Sequence, residues 1–275
     1  DNYQTNFNSD VAFSFQSGDT IVIDTDSELS AFLADVASGT LVITNQSITI
    51  DSAAPITVSQ ASKIDDLTTG VITATIGSAR VSDLLGSATL SDENENNAYT
   101  ISISEDDATG LTATQLNAVN ALTSLPVEAT AVTAMSGSYT DITDLYASGE
   151  FIGLGNEAIT ITDELTVTQA NTLDDLTLGV IDATIGNTRV SDLLGSASLS
   201  DANGNNAYTI SISTEDAAVS ASDLNSINAI TSIAVNLANV NSITASDFTD
   251  LTTLNANRAE FSNITGITAI TVTDN

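Results

Sequence analysis

The stretch ITVSQASKIDDLTTGVITATIGSARVSDLLGSATLSD (residues 56–92) occurs twice in the chain. Its second copy, LTVTQANTLDDLTLGVIDATIGNTRVSDLLGSASLSD (165–201), aligns with it without a gap, 109 positions later. The segment that follows is repeated as well, since SDENENNAYTISIS (91–104) returns as SDANGNNAYTISIS (200–213). A single catalytic loop needs no copy, whereas a scaffold built from neighbouring units does.

A shorter repeat of about 54 residues lies inside the long one. Its apolar anchors are spaced by 55, 54 and 54 positions: Ile64, Val119, Leu173 and Ile227. Near the start of each unit, a hydroxyl residue stands three positions before Gln or Asp, which is the spacing of a capping box at a helix N-terminus. The four pairs are Thr57–Gln60, Thr112–Gln115, Thr166–Gln169 and Ser220–Asp223. Each unit is therefore predicted to contain one short helix.

Alternating β-branched runs follow the predicted helices. Short runs of this kind, bounded by Gly, Asn and Asp, are typical of strands separated by turns. The runs are VITATI (71–76), YTISIS (99–104), VEATAV (127–132), AITITD (158–163) and VIDATI (180–185). The pattern predicts a mainly β protein, a repetitive β-solenoid with short helices, whose units of about 54 residues pair into repeats of about 109 residues.

The repeats divide the chain into four predicted parts. Residues 1–47 form an N-terminal cap or docking segment, 48–158 the first long repeat, 159–269 the second, and 270–275 the start of a further repeat. The first part concentrates aromatic residues that could serve in assembly: Tyr3, Phe7, Phe13 and Phe15. The chain begins at Asp1 without Met, which favours a processed product or an excised piece.

Three strings of the chain are equivalent, and the last of them falls at its end. They are SITIDS (47–52), AITITD (158–163) and AITVTD (269–274). Two interpretations follow. The chain is a piece of a longer array, or its last strand offers an open face that receives the N-terminal segment of the next copy, head to tail.

The charge balance excludes several classes of partner. The chain has 36 acidic residues against four basic ones, for a net charge of −32. Nucleic acid and anionic lipid surfaces would be repelled. The uncharged run at 110–127 is too polar to span a membrane, so membrane insertion is not expected. Such a composition favours an extracellular or cell-surface protein in a salty medium, where like charges are screened.

The absence of His and Cys removes most catalytic groups and the His and Cys metal ligands. No Ser-His-Asp triad, thiolate nucleophile or His/Cys zinc site can form. Carboxylates remain. The adjacent pairs Asp65–Asp66 and Asp174–Asp175 could suggest a glycosidase acid and base, but neighbouring helical residues point about 100° apart, which favours a structural polar face.

The repeated acidic turns are the candidate metal site. Their D-x-N-x-N spacing resembles the opening of a calcium loop, in which alternate residues supply oxygen ligands to a hard cation. The tentative ligands are Asp92, Asn94, Asn96, Asp201, Asn203 and Asn205. The closing Glu of such a loop is missing, so a solvated Asx turn is the alternative. The acidic bends 105–107 and 215–216 would add ligands or form solvated corners, and Arg80 and Arg189 are predicted to make local ion pairs.

Three phrases carry a resemblance to a known class of proteins: VSASDLNSINAITSIAV (219–235), GSYTDITDLYASGEFIGLGNEAITITDE (137–164) and LTVTQANTLDDLTLGVIDAT (165–184). They resemble the tandem repeats of very large secreted or cell-surface proteins of cyanobacteria and other marine bacteria. The resemblance covers about residues 48–275. It implies an extracellular structural or adhesive role, sometimes with calcium, and carries over no catalytic residue.

The sequence therefore predicts a structural protein and not an enzyme. We expect a filament subunit or an adhesin or surface-stalk segment that joins copies of itself head to tail or further repeats of a longer chain, with calcium stiffening its turns. One alternative is a calcium-dependent adhesin that binds surface glycans. Another is a β-helical enzyme that degrades polysaccharides with carboxylates, although such an enzyme should show a nonrepeated carboxylate cluster with aromatic residues.

Overall fold

The computed structural model describes residues 18–39, 41, 43–86, 90, 97–202, 204 and 206–273. The chain divides into two compact units. Unit 1 comprises Asp1–Val132 and Asp144–Leu154, and unit 2 comprises Thr133–Thr143 and Gly155–Asn275. The four parts predicted from the repeats stay a prediction.

The fold is mixed α/β, and the prediction of a mainly β solenoid with short helices is wrong. The protein is 34% helical and 28% strand, and its parallel sheets alternate with helices that are not short; no solenoid is found in the described residues. The error has a physical origin. In the helix Ala113–Asn120, for example, Leu116 and Val119 are fully buried and belong to a complete two-turn helix. The alternating β-branched runs dominated the prediction from sequence, and the apolar faces of the helices were given too little weight.

The helices of the described residues are α1 to α9, in chain order. Their bounds are Asp26–Ser38, Val58–Asp65, Val81–Leu84, Ala113–Asn120, Tyr139–Ser148, Val167–Asp174, Val190–Leu194, Ala221–Asn228 and Phe248–Ala256. Three short 3-10 turns accompany them, at Glu105–Asp107, Arg258–Glu260 and Ile264–Gly266. In the part of the chain that the structure covers, none of the helices has the length and apolar character needed to cross a bilayer.

The strands are β1 to β16, also in chain order. Their bounds are Thr20–Ile23, Ser47–Ile50, Ile72–Thr75, Ala98–Thr100, Leu111–Thr112, Val127–Glu128, Ala134–Gly137, Phe151–Ile152, Ala158–Leu165, Ile181–Thr188, Ala207–Ile212, Ala218–Ser220, Val235–Asn236, Ser242–Ala245, Phe261–Ser262 and Ala269–Val272.

In unit 1, four strands form a parallel sheet in the order β1-β2-β3-β4, and β6 pairs with β8 in parallel. One face of each strand is buried. Along β1 and β2, for example, Ile21 pairs with Ile48 and Ile23 with Ile50, and all four side chains are buried. The period of two along a strand thus gives each sheet an apolar inner face.

In unit 2, six strands lie in the order β15-β13-β11-β10-β9-β7. A second sheet has the order β12-β14-β16. All pairings of these strands are parallel. Because parallel neighbours need a crossover between them, a helix or a longer connection separates most consecutive strands.

The predicted capping boxes are confirmed at three helices. Thr57, Thr112 and Thr166 accept the backbone N–H of the Gln three residues later, and each Gln side chain returns to the N-cap. At α8, Ser220 accepts the N–H of Asp223. The predicted strand 158–163 lies within β9, and the predicted strand 180–185 lies within β10 except for Val180. Of the predicted strand VEATAV (127–132), only the first two residues form a strand, β6.

Four equivalent threonines fix the turns that follow α2, α4, α6 and α8: Thr68, Thr123, Thr177 and Thr231. The hydroxyl of each donates to a backbone carbonyl 20 to 24 residues earlier and accepts the N–H two residues later. At two of these turns the N–H that donates to the threonine hydroxyl belongs to a glycine. A Cβ at Gly70 would lie 2.3 Å from the carbonyl oxygen of Gln46, and one at Gly179 would lie 2.2 Å from that of Glu157.

Candidate functional site

The described part of the predicted calcium turns is Asp201. Asp92, Asn94, Asn96, Asn203 and Asn205 lie outside the described residues. Asp201 Oδ1 accepts the N–H of Asn206 at 3.2 Å, and the Asp201 carbonyl accepts the N–H of Gly204 at 3.1 Å. The backbone bond is that of a β-turn, and the carboxylate ties this turn to the residue that precedes β11. Among the residues that the structure covers, no group of three or more acidic side chains is arranged to hold a metal ion. Calcium stays a prediction.

A buried Asp–Asn pair lies beside each repeated turn, and sequence reasoning missed it. In unit 2, Asn206 is fully buried; its amide donates to Asp174 Oδ1 at 2.8 Å and its Oδ1 accepts the N–H of Ile181 at 2.8 Å. Asp174 also accepts from the Ser200 hydroxyl at 2.7 Å and the Ala202 N–H at 3.1 Å. One side-chain pair therefore joins α6, β10 and the entry to β11.

The same arrangement occurs in unit 1. The amide of Asn97 donates to Asp65 Oδ1 at 2.8 Å, and Asn97 Oδ1 accepts the N–H of Ile72 at 2.8 Å. In each copy, the second aspartate of the predicted Asp pair, Asp66 or Asp175, is the C-cap residue of its helix. Both buried aspartates accept a hydrogen bond from an asparagine amide, which agrees with the structural interpretation of these pairs.

Tyr208 extends the network of unit 2. Its hydroxyl accepts the Asn206 amide at 3.1 Å, and its side chain is fully buried. Burial raises the pKa of Tyr208 above its ordinary value, and the negative charges of Asp174 and Asp201 raise it further. Burial disfavours the charged phenolate, so the folded state holds the neutral phenol.

This pKa shift predicts a loss of stability in alkali. An unfolded tyrosine ionises near pH 10, so the stabilisation from neutral Tyr208 is complete below about pH 10 and is lost as pH rises toward the folded-state pKa. We expect Tyr208→Phe to make the alkaline decline of the unfolding free energy shallower. Urea unfolding across this pH range, with tyrosinate absorbance of the folded protein, measures it. Tyr208 ionising near pH 10 in the folded protein would contradict the assignment.

The acidic bends cap helices. Asp107 accepts the N–H of Val81 at 2.5 Å, and Asp216 accepts that of Val190 at 2.7 Å. Carboxylates at helix N-termini satisfy N–H groups that have no partner within the helix. The arginines join the same bends, since Arg80 pairs with Asp106 at 2.6 Å and Arg189 pairs with Glu215. The Asp106 carboxylate also raises the pKa of Arg80. The prediction of local ion pairs is confirmed, although the partners lie 26 residues away in sequence.

A polar cleft of about 590 Å³ lies in unit 2 beside Arg189. Its other lining groups are mainly hydroxyls and small residues, including Thr166, Thr168, Ser191 and Ser213. Its two acidic groups are Asp192 and Glu215, and Glu215 is engaged with Arg189. An ion-paired carboxylate at a helix start has a structural use, and the cleft contributes no paired acid and base of the glycosidase kind.

An exposed apolar strand of unit 2 is β16, at the end of the sheet β12-β14-β16. Ile270 pairs in register with Ile243, which in turn pairs with Val219. Ile243 is 4% exposed and Val219 is equally buried, yet Ile270 is 61% exposed. The next inward position repeats the pattern, because Ala245 is buried whereas its register partner Val272 is 44% exposed.

This arrangement leaves the apolar face of β16 uncovered. We call Ile270, Val272 and the free backbone edge of β16 the open edge, since β16 ends its sheet among the described strands. Tyr3, Phe7, Phe13 and Phe15, the aromatic residues proposed for assembly, lie outside the described residues.

Comparison with protein-family models, curated proteins and solved structures finds no match for this chain.

Proposed function

We propose that the chain is an extracellular structural protein, a filament subunit or a segment of a surface stalk, that joins copies of itself or further repeats head to tail. The open edge is the observation that carries the proposal. Ile270 and Val272 occupy positions whose register partners are core residues, and they remain exposed. An added strand would bury both side chains and pair the free backbone groups of β16.

The buried networks support a mechanical role. Each Asp–Asn pair ties a helix to two neighbouring strands, and each of the four equivalent threonines ties a turn to a strand 20 to 24 residues earlier. A hydrogen-bonded scaffold of this kind resists local opening because its buried polar groups lose their partners when strands separate.

The charge of the chain sets the conditions for assembly. Two copies that each carry a net charge of −32 repel each other. The repulsion is screened within about 8 Å at physiological ionic strength and over a shorter distance in concentrated salt. The strand that forms the open edge, Ala269–Val272, carries no charge. We therefore expect assembly to strengthen as the salt concentration rises.

Substitution of Ile270 tests the proposal. We expect wild-type protein to form particles heavier than one copy in concentrated salt, and Ile270→Asp to remain a monomer, because a carboxylate would be buried without a partner at the joint. The measurement is sedimentation velocity over a range of protein and salt concentrations.

The matched control is Leu178→Asp. Leu178 is 67% exposed in unit 2 but lies outside the open edge, so this variant adds the same charge in place of an apolar side chain elsewhere. It should assemble like the wild type. Equal loss of assembly in both variants would point to net charge alone, and a monomeric wild type at every salt concentration would contradict the proposed function.

A further inference from the structure

The side chains of the open edge determine which side chains a covering strand must present. Ile270 and Val272 are two residues apart on one face of β16, so a covering strand must present apolar side chains with the same period of two. Thr271 lies between them on the other face. Because all pairings in the sheet β12-β14-β16 are parallel, the added strand continues the sheet in the same direction.

One segment of this chain matches these requirements. Residues 11–17 read VAFSFQS, in which Val11, Phe13 and Phe15 alternate with small residues. The segment has no charged residue, which matters in a chain with a net charge of −32, because a carboxylate brought to the joint would add to the repulsion between copies.

The length of the N-terminal segment is sufficient to reach another copy. Seventeen residues precede Gly18, the first described residue. At about 3.3 Å per residue, an extended segment of this length spans roughly 55 Å. Strand addition from one copy to the next is a heterologous contact, and a heterologous contact that does not close on itself generates an open chain of subunits.

We propose that residues 11–17 of a second copy add as a parallel strand to β16, with Phe13 and Phe15 covering Ile270 and Val272; this inference rests on the proposed function and names its partner. The donor is an N-terminal segment and the acceptor is the open edge of unit 2. Each copy therefore carries one donor and one acceptor, and the assembly is head to tail.

Two complementary variants of the full chain test the inference. The donor variant carries Phe13→Asp and Phe15→Asp, and the acceptor variant carries Ile270→Asp. We expect each variant alone to sediment as a monomer under conditions in which the wild type assembles. An equimolar mixture of the two has one intact donor facing one intact acceptor, so we expect it to form a 1:1 dimer of twice the monomer mass and nothing larger.

The outcomes separate this inference from the proposed function. If the wild type assembles and the donor variant assembles equally well, residues 11–17 are not the donor, and the inference is overturned while head-to-tail assembly stands. If the wild type does not assemble, the proposed function and the inference fail together. Thermal unfolding followed by circular dichroism checks that both variants fold. Leu178→Asp keeps both donor and acceptor, so it should form assemblies larger than a dimer on its own and when mixed with the donor variant.

Discussion

Asn206→Ala is expected to lower the unfolding free energy by about 3 to 4 kcal/mol, because it removes the centre of a buried polar network. The substitution leaves the N–H of Ile181 without its acceptor and takes a charge-assisted hydrogen bond from Asp174. Hydrogen bonds to charged groups contribute about 1.5 to 3 kcal/mol each, and a buried N–H without a partner costs a further 1 to 3 kcal/mol or so. Urea unfolding measures the loss, and amide hydrogen exchange at Ile181 should accelerate.

The control for this prediction is Asn187→Ala. Asn187 is exposed in the same unit, so the change should stay within about 0.5 kcal/mol of the wild type. The isosteric variant Asn206→Asp separates charge from packing, because it places a second carboxyl group beside Asp174. Like charges raise the pKa of one member of such a pair, so Asn206→Asp should recover stability as pH falls. Near wild-type stability of Asn206→Ala would show that the network does not hold the unit together.

Gly179→Ala is expected to cost about 3 kcal/mol, since the added methyl group has no room. A Cβ at this position would lie 2.2 Å from the carbonyl oxygen of Glu157 and 2.8 Å from the N–H nitrogen of Ala158. Overpacking against backbone atoms costs about 1 to 3 kcal/mol or more, because the backbone itself must move. The shift would also strain the Thr177 hydroxyl, which bridges Gly179 N–H and Glu157 O at 3.0 and 2.8 Å.

Gly186→Ala is the matched control in the same unit. A Cβ there would meet Glu164 and Leu165 at 3.6 and 3.8 Å, which is ordinary contact. The backbone of Gly186 does not adopt the left-handed region. Alanine should therefore be neutral, or it should stabilise the protein by up to about 1 kcal/mol because it lowers the conformational entropy of the unfolded chain. Urea unfolding of both variants checks the contrast. Equal effects of the two substitutions would contradict the close approach at Gly179.

The local signals of the sequence were sufficient for part of the fold. The capping boxes at Thr57, Thr112 and Thr166 depend on residues three positions apart, so their geometry follows from the sequence alone. The ion pairs of Arg80 and Arg189 were predicted in kind, because four cations among 36 acids must find acidic neighbours. Their partners were not predicted, since a separation of 26 residues is set by how the strands pair.

The balance of helix and strand could not be read in the same way. The segments 116–119 and 224–227 combine a helical period with polar Asn and Ser, and the neighbouring β-branched runs dominated the interpretation. Tertiary burial decides between such competing patterns, and here it favours helices of eight residues at Ala113–Asn120 and Ala221–Asn228. The mainly β solenoid was wrong for that reason.

The buried Asp–Asn pairs were visible only as repetition. Both copies of NNAYTIS conserve the asparagine that precedes the strand, but its partner lies 32 residues earlier, on a helix. The alternating oxygens of the turn are a local pattern and suggested either a calcium site or a solvated Asx turn, whereas the burial of Asn97 and Asn206 depends on the whole unit. An exact repeat of a polar residue beside an apolar strand is the signal that could have indicated a buried network.

Electron microscopy of the intact protein in concentrated salt, with millimolar calcium and again after chelation, tests the central claim that this chain is a head-to-tail structural subunit. The account predicts filaments whose axial repeat matches one copy of the chain and which the Ile270→Asp variant does not form. Loss of wild-type filaments on chelation would place calcium at the repeated turns that include Asp201. Separate single copies of the wild type in every condition would contradict the account.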